Sequence, residues 1–285
     1  NLSPLDPRAV AARPQPGQDL AAAGLRRLLA GSELTGTGAA RRLQDPLSLR
    51  CVSQVHGSLY AALDPLARAL QPELDGGGDN PLVLPDDDEV LSTGNFHLPA
   101  LAMAADAVAL AVAQVANLSV ARAARLLSPD LSGLPPGLSP RGVGHSGLSV
   151  LLKVGDAVAG EIRHLATPVC HDARPTSAGV EDDATGAAYA VRRLSRVVHH
   201  LRRLLAVELV VAAQAVDLAR PGRLGRGPRS AYDGVRSLVR PLDEDRPLGP
   251  ELEALADALA AGDLLGDARD AVGDQGDTAT GDEVG

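Results

Sequence analysis

Apolar residues recur at spacings of three and four along most of the chain, which is the period of an amphipathic helix. The clearest stripe runs over 50–70, where Leu59, Leu63, Leu66 and Leu70 fall on one face. A shorter helix is predicted over 20–30. Segment 98–127 reads differently: it is Ala, Leu and Val nearly all round, the pattern of a helix enclosed by others. Its longest uncharged run, 107–121, contains Gln114 and Asn117 and is shorter than the roughly 20 residues a bilayer span needs. A buried core helix is therefore expected, and no membrane. Helical periodicity returns over 148–165, 182–218, 230–239 and 250–259.

The breaks are equally plain. Pro, Gly and Ser gather in 128–147, a polar loop follows at 168–180, and 75–81 is loop by composition. The run Asp86-Asp87-Asp88-Glu89 is an acidic turn; it lacks the ligand alternation of a calcium loop. Residues 1–43 mix short helical pieces with Pro14, Pro16, Gly17, Gly31, Gly36 and Gly38. No useful stretch alternates with period two, so sheet content should be minimal. The expected organisation is a helical lead-in over 1–43, a core bundle over 44–220, and shorter helices with an acidic, Gly-rich tail over 221–285 that frays after 267.

Composition sharpens this. Hydrophobic residues make up 45% but aromatics only 1%, with one Phe, three Tyr and no Trp. The core must be built from Ala, Leu and Val, which favours helices at close approach. The net charge of −9, from 27 basic and 36 acidic residues, argues against a nucleic-acid binder. The arginines of 192–203 are expected to pair with acids inside the bundle. Two distant cysteines, Cys51 and Cys170, suggest free thiols in a reducing cytoplasm rather than a disulfide framework. The start has neither a basic nor an apolar leader region and begins with Asn. No secretory signal is expected there, and a processed chain or a piece of a longer product is.

The candidate chemistry centres on Gln44-Asp45-Pro46-Leu47-Ser48-Leu49-Arg50-Cys51, followed by Gln54-Val55 and Gly57. An amide both donates and accepts, and a guanidinium presents a planar fork that fits a carboxylate in a bidentate way. Three further blocks accompany this one: Arg13 to Gln18 with Leu28 to Ser32; Asp79-Asn80-Pro81-Leu82-Val83 with Gly94-Asn95-Phe96-His97; and Pro175-Thr176-Ser177-Ala178-Gly179-Val180-Glu181-Asp182 ahead of an Arg-rich helix. In this order and spacing, the four blocks resemble the histidine ammonia-lyase branch of the aromatic amino acid lyase family.

The resemblance implies an all-α fold, the elongated helical bundle of the fumarase/aspartase and ammonia-lyase type, assembled as a homotetramer with sites shared between subunits. It implies a small amino-acid substrate and a methylidene-imidazolone (MIO) electrophile formed from an internal Ala-Ser-Gly. No Ala-Ser-Gly occurs in this sequence. The chain therefore resembles the C-terminal part of a lyase, and the MIO ring is expected on a preceding segment or a partner N-terminal half chain, with no cofactor bound by this chain and no metal.

The same resemblance assigns roles. Arg50 would clamp the substrate carboxylate, against the plainer reading of a surface salt bridge. Gln44 would hydrogen-bond near the ring, or be a polar residue at a helix start. Phe96 would face the electrophile pocket, or be an ordinary core Phe. Glu181 would sit beside the ring and the substrate side chain as a proton-handling group, its pKa raised if buried against an apolar wall; otherwise it is an acid in the first turn of a helix. Leu47 stands where the family carries a tyrosine, so a hydrogen-bond donor is missing. Val180 and Leu98 also depart from the family's usual residues. A non-catalytic lyase-like scaffold and an MIO-dependent aminomutase remain alternatives to an ammonia-lyase. His199 and His200 are adjacent on a helix and make a poor metal pair.

Overall fold

The long Ala/Leu/Val segments fold as long helices. A computed structural model describes residues 1–36, 38–40, 42–142, 144–171 and 177–265. In chain order the helices are α1 (Pro7–Ala11), α2 (Gln18–Leu29), α3 (Leu47–Arg50), α4 (Val52–Asp75), α5 (Pro99–Leu127), α6 (Pro129–Ser132), α7 (Ser149–Leu165), α8 (Ala187–Ala219), α9 (Arg226–Leu238) and α10 (Gly249–Ala261). The fold is all-α, as expected. Its one sheet among the described residues is a hairpin of β1 (Leu82–Leu84) and β2 (Glu89–Leu91), antiparallel, with Leu82 opposite Leu91 and Leu84 opposite Glu89. The acidic run supplies its turn. Strands of three residues are too short to leave a period-two signal.

Helices α5 and α8 pack along one another at the centre, α7 lies against both, and α4 covers α5. Small side chains make the close approach possible. Ala102, Ala105 and Ala116 of α5, Ala159 of α7 and Ala206 of α8 are fully enclosed. One core joins Val108, Val112, Ile162, Val197 and Leu204. A larger one joins Leu127, Leu138, Leu148, Leu151, Val207 and Val211 to Val235 and Leu255, so α9 and α10 close over the distal half of α8. By length and composition α5 could cross a bilayer, yet 67% of its most apolar stretch is buried within the bundle.

Element boundaries differ from the sequence reading for local reasons. The helix expected over 50–70 starts at Val52, because Cys51 leaves helical geometry at φ −101°, ψ 16° and separates it from α3. Helix α4 then runs on to Asp75 through Pro65 and Pro72, where a proline is normally read as a stop. The helix expected from 182 begins at Ala187, after Gly186 adopts a left-handed φ of +65°. Residues after 265, including the tail expected to fray, lie outside the described residues.

Polar side chains pin the loops to this frame. Buried Asp106 of α5 accepts from the backbone N–H of Val169 (2.7 Å) and Cys170 (3.1 Å). Buried Gln214 of α8 donates to the Leu138 and Leu242 carbonyls and accepts from Leu242 N–H. Asp245 accepts from Ser146 and Gly147 N–H, both at 2.8 Å, and these bonds hold its pKa below the ordinary carboxylate value.

Helices α2 and α4 cross backbone to backbone at two glycines. A Cβ on Gly57 would lie 2.6 Å from Gln18 N, and one on Gly17, at φ +73°, would lie 2.4 Å from the Gly57 carbonyl oxygen. Alanine is intrinsically better than glycine inside a helix by roughly 1 kcal/mol, but here the clash must win, since overpacking costs about 1–3 kcal/mol. Gly57→Ala is therefore expected to lower the thermal unfolding midpoint. Gly160→Ala on α7, whose nearest foreign atom is the flexible Arg163 tip at 3.7 Å, should leave the midpoint unchanged or raise it.

Candidate functional site

The short helix α3 carries Leu47, Ser48, Leu49 and Arg50 of the Gln44–Cys51 block, and the core holds it in place. Arg122 of α5 forks onto Glu208 of α8, with Nε to Oε1 at 2.5 Å and Nη2 to Oε2 at 3.0 Å. Its third nitrogen, Nη1, donates to the Ser48 carbonyl at 3.3 Å. One guanidinium thus joins the two central helices and the helix bearing Leu47 and Arg50. The two charged side chains are only 17% and 16% exposed. Ser48 is buried, and its neighbours face outward.

His56 of α4 lies within reach of this pair. Burial pushes its pKa below the ordinary 6.5, the Arg122 charge pushes the same way, and Glu208 opposes both. Its Nε2 is buried without a hydrogen-bond partner, as is Arg50 Nε.

The five sequence candidates lie at the edges of the bundle rather than in its core. Gln44 is exposed ahead of α3, whose N-cap is Pro46, so it is no helix cap. Leu47 is 60% exposed and Arg50 half-buried. Arg50 enters no ion pair among the described residues, which removes the surface salt bridge as its explanation. Phe96, 55% exposed on the loop between β2 and α5, is no core Phe. Glu181 is exposed on an extended segment, so the expected burial against an apolar wall is not found. It also precedes α8 by a full turn or more, too far for that helix's first-turn dipole.

Two of these segments meet. His97 Nε2, next to Phe96, lies 2.9 Å from Asp183 Oδ2, two residues past Glu181. Residues 94–97 and 181–183 are thereby brought to one place, while Leu47 and Arg50 lie on α3 and Gln44 just ahead of it. Pro175 and Thr176 of the fourth block lie outside the described residues.

Sequence reasoning missed the Arg122–Glu208 pair and His56. The available signal was Arg122 itself, one of three charged residues in a helix that is otherwise mostly Ala, Leu and Val. Of the arginines expected to pair with acids inside the bundle, Arg203 meets Glu253 at 2.6 Å at the surface, and buried Arg193 donates instead to the His164 carbonyl at 2.9 Å. The His199 and His200 rings stand edge to face, 5.6 Å between centroids, and no group of three metal-ligating side chains occurs among the described residues. A groove of about 1680 Å³, with Leu34, Arg125, Leu131, Val216 and Leu224 among its walls, includes Asp45 and Leu49 but none of the five candidates.

The bundle of long small-residue helices is all-α, and it shares the all-α fold of the solved lyase and aminomutase structures it resembles. Residues 1–237 match the aromatic amino acid lyase family model, and the chain belongs to that family. A histidine ammonia-lyase of Symbiobacterium thermophilum is 43% identical over 260 residues, covering 91% of this chain and 51% of that protein. The crystal structure of histidine ammonia-lyase from Trypanosoma cruzi superposes with a TM-score of 0.87 at 33% identity, covering 96% of this chain and 52% of that one. Tyrosine aminomutase from Streptomyces globisporus gives a TM-score of 0.84 at 31% identity, covering 93% and 54%. The chain spans about half the length of the curated relatives it matches. These matches support an ammonia-lyase-like role.

The His56 shift has a pH consequence. A folded-state pKa below 6.5 means that the unfolded chain binds this proton more tightly. The group therefore leaves stability untouched well above pH 6.5 and lowers it as pH falls below that value. His56→Gln should flatten the drop in urea midpoint between about pH 7.5 and about pH 5.5. An unchanged pH slope in the variant would remove His56 as the source.

Proposed function

We propose that this chain is the C-terminal part of an ammonia-lyase acting on histidine or a related amino acid, completed by a segment that carries the MIO electrophile. One observation carries this reading. Arg50, half-buried and in no ion pair among the described residues, stands in the block that matches the family and offers a fork for a carboxylate. The resemblance and the names of the relatives supply the substrate class.

The sequence has no Ala-Ser-Gly, so the ring does not form from this chain. The outward-facing Gln44, Leu47 and Phe96 fit a site that a second segment completes. When bound in place, the electrophile activates the substrate amine for departure. The residues here do the rest. Arg50 holds the substrate carboxylate in a bidentate grip, which fixes the α-carbon. Gln44 donates and accepts hydrogen bonds beside it. Phe96 offers a flat apolar wall, and Glu181 handles a proton at the substrate side chain. Leu47 offers no hydroxyl and shapes the pocket by volume alone.

An aminomutase reading draws support from the tyrosine aminomutase neighbour. The scaffold reading draws its support from Leu47. The apolar faces left open on the long helices, with Leu63, Leu70 and Leu74 on α4 and Met103 and Leu110 on α5, support a homotetramer. The two unpaired cysteines suit a cytoplasmic setting.

Three tests bear on this reading. The purified chain should run as an oligomer by light scattering at micromolar concentration, and a clean monomer would count against the assembly. Alone it should deaminate no amino acid, and mixed with an Ala-Ser-Gly-bearing N-terminal half it should do so. In that reconstituted enzyme Arg50→Lys keeps the charge but loses the fork, so kcat/KM should fall by roughly one to two decades, the equivalent of about 1.5–3 kcal/mol. Glu181→Gln should change the pH profile, and Leu47→Tyr should raise turnover of histidine. If none of the three variants alters the kinetics, the scaffold reading replaces this one.

A further inference from the structure

Phe96 and Glu181 lie on segments 85 residues apart in sequence. Neither segment belongs to a helix or to the hairpin. Each is held at one end by its own short-range bonds. On the first, Thr93 N–H donates to Asn80 Oδ1 at 2.9 Å, and His97 N–H donates to the Gly94 carbonyl at 2.9 Å, closing a turn around Phe96. On the second, Val180 N–H donates to the Ser177 carbonyl at 3.1 Å, and Gly186 turns the chain into α8. What ties the two together is His97 Nε2 against Asp183 Oδ2 at 2.9 Å.

We propose that His97 and Asp183 are positioning residues, a joint that sets the Phe96 loop and the Glu181 segment against each other. The placement argues for it. His97 directly follows Phe96, so its ring and the Phe96 ring leave the backbone from adjacent positions of one tight turn. Asp183 follows Glu181 by two residues on the same short segment leading into α8. A bond between His97 and Asp183 therefore constrains where Phe96 and Glu181 sit relative to one another, although neither makes the bond. Small displacements matter at such a place, because catalytic geometry is sensitive to misplacement on the order of 1 Å. The side chains are 34% and 66% exposed, so the joint biases rather than locks. An exposed pair of this kind favours the docked arrangement by roughly 1.5- to 5-fold. That the joint serves an amino acid site rests on the function proposed above; that it couples the two segments does not.

Phe96 is the one phenylalanine in the chain, so ring-13C phenylalanine labelling of the full 285-residue protein gives a single probe of this loop. Asp183→Asn should shift or broaden the Phe96 ring resonance from a distant point in the sequence. His97→Gln should raise amide hydrogen exchange across 180–186 by roughly 1.5- to 5-fold. The exchanged pair, His97→Asp with Asp183→His, should return both signals toward the parent, which loss of fold would not do. Circular dichroism of each variant should be unchanged. A Phe96 resonance indifferent to Asp183→Asn, or an exchanged pair that restores neither signal, overturns the joint. Should the joint hold while the reconstituted enzyme shows no activity, the function fails and the positioning role stands.

Discussion

The Arg122–Glu208 pair is the contact on which the rest of the arrangement depends. Helices α5 and α8 meet through alanines and valines, and such faces interdigitate in more than one register. A bidentate ion pair does not. Sliding either helix by a turn would leave two charges, each about one-sixth exposed, without partners. Removing one partner from a buried pair costs about 3–5 kcal/mol, even though the intact pair adds little net stability. Its contribution is specificity: it selects one register for the two longest helices. The third arm of the same guanidinium, on the Ser48 carbonyl, then fixes α3. One side chain thus links the two central helices to α3.

That arrangement explains why the candidate residues sit where they do. The helices supply rigidity and the irregular segments between them supply chemistry, a common division because loops can present polar groups without burying backbone. Arg50 and Leu47 ride on a helix held to the core, Phe96 on a loop tied by Asn80 and Thr93, and Glu181 on the stretch leading into α8. All face outward. In a chain spanning about half of its relatives' length, an outward-facing site is consistent with one completed by further protein. The open apolar faces of α4 and α5 fit the same picture.

Much was legible in the sequence, and for identifiable reasons. Segment 98–127 could only be an enclosed helix, since its apolar residues leave no polar face. The scarcity of aromatics pointed to close-packed alanine contacts, and Gly57 and Gly17 turn out to mark such a crossing. The four blocks carried the family because their residue types and order survive independently of any contact. Local geometry decided where elements end: Cys51 interrupts a continuous periodic pattern, Pro72 fails to stop a helix, and Gly186 delays α8. These outcomes turn on backbone dihedrals that periodicity does not encode.

The partners of charged groups were decided by tertiary structure alone. Arg122 and Glu208 are 86 residues apart, as are His97 and Asp183, and no pattern along the chain pairs them. Exposure was settled in the same way: Phe96 could have been core by its chemistry, and Glu181 could have been buried. Composition and periodicity dictate which surfaces each element must hide, so they determine an all-α bundle, and the four motif blocks carry the resemblance to its family. Which charge meets which, and which polar groups are left free for a ligand, depends on how the helices register, and that is a property of their packing.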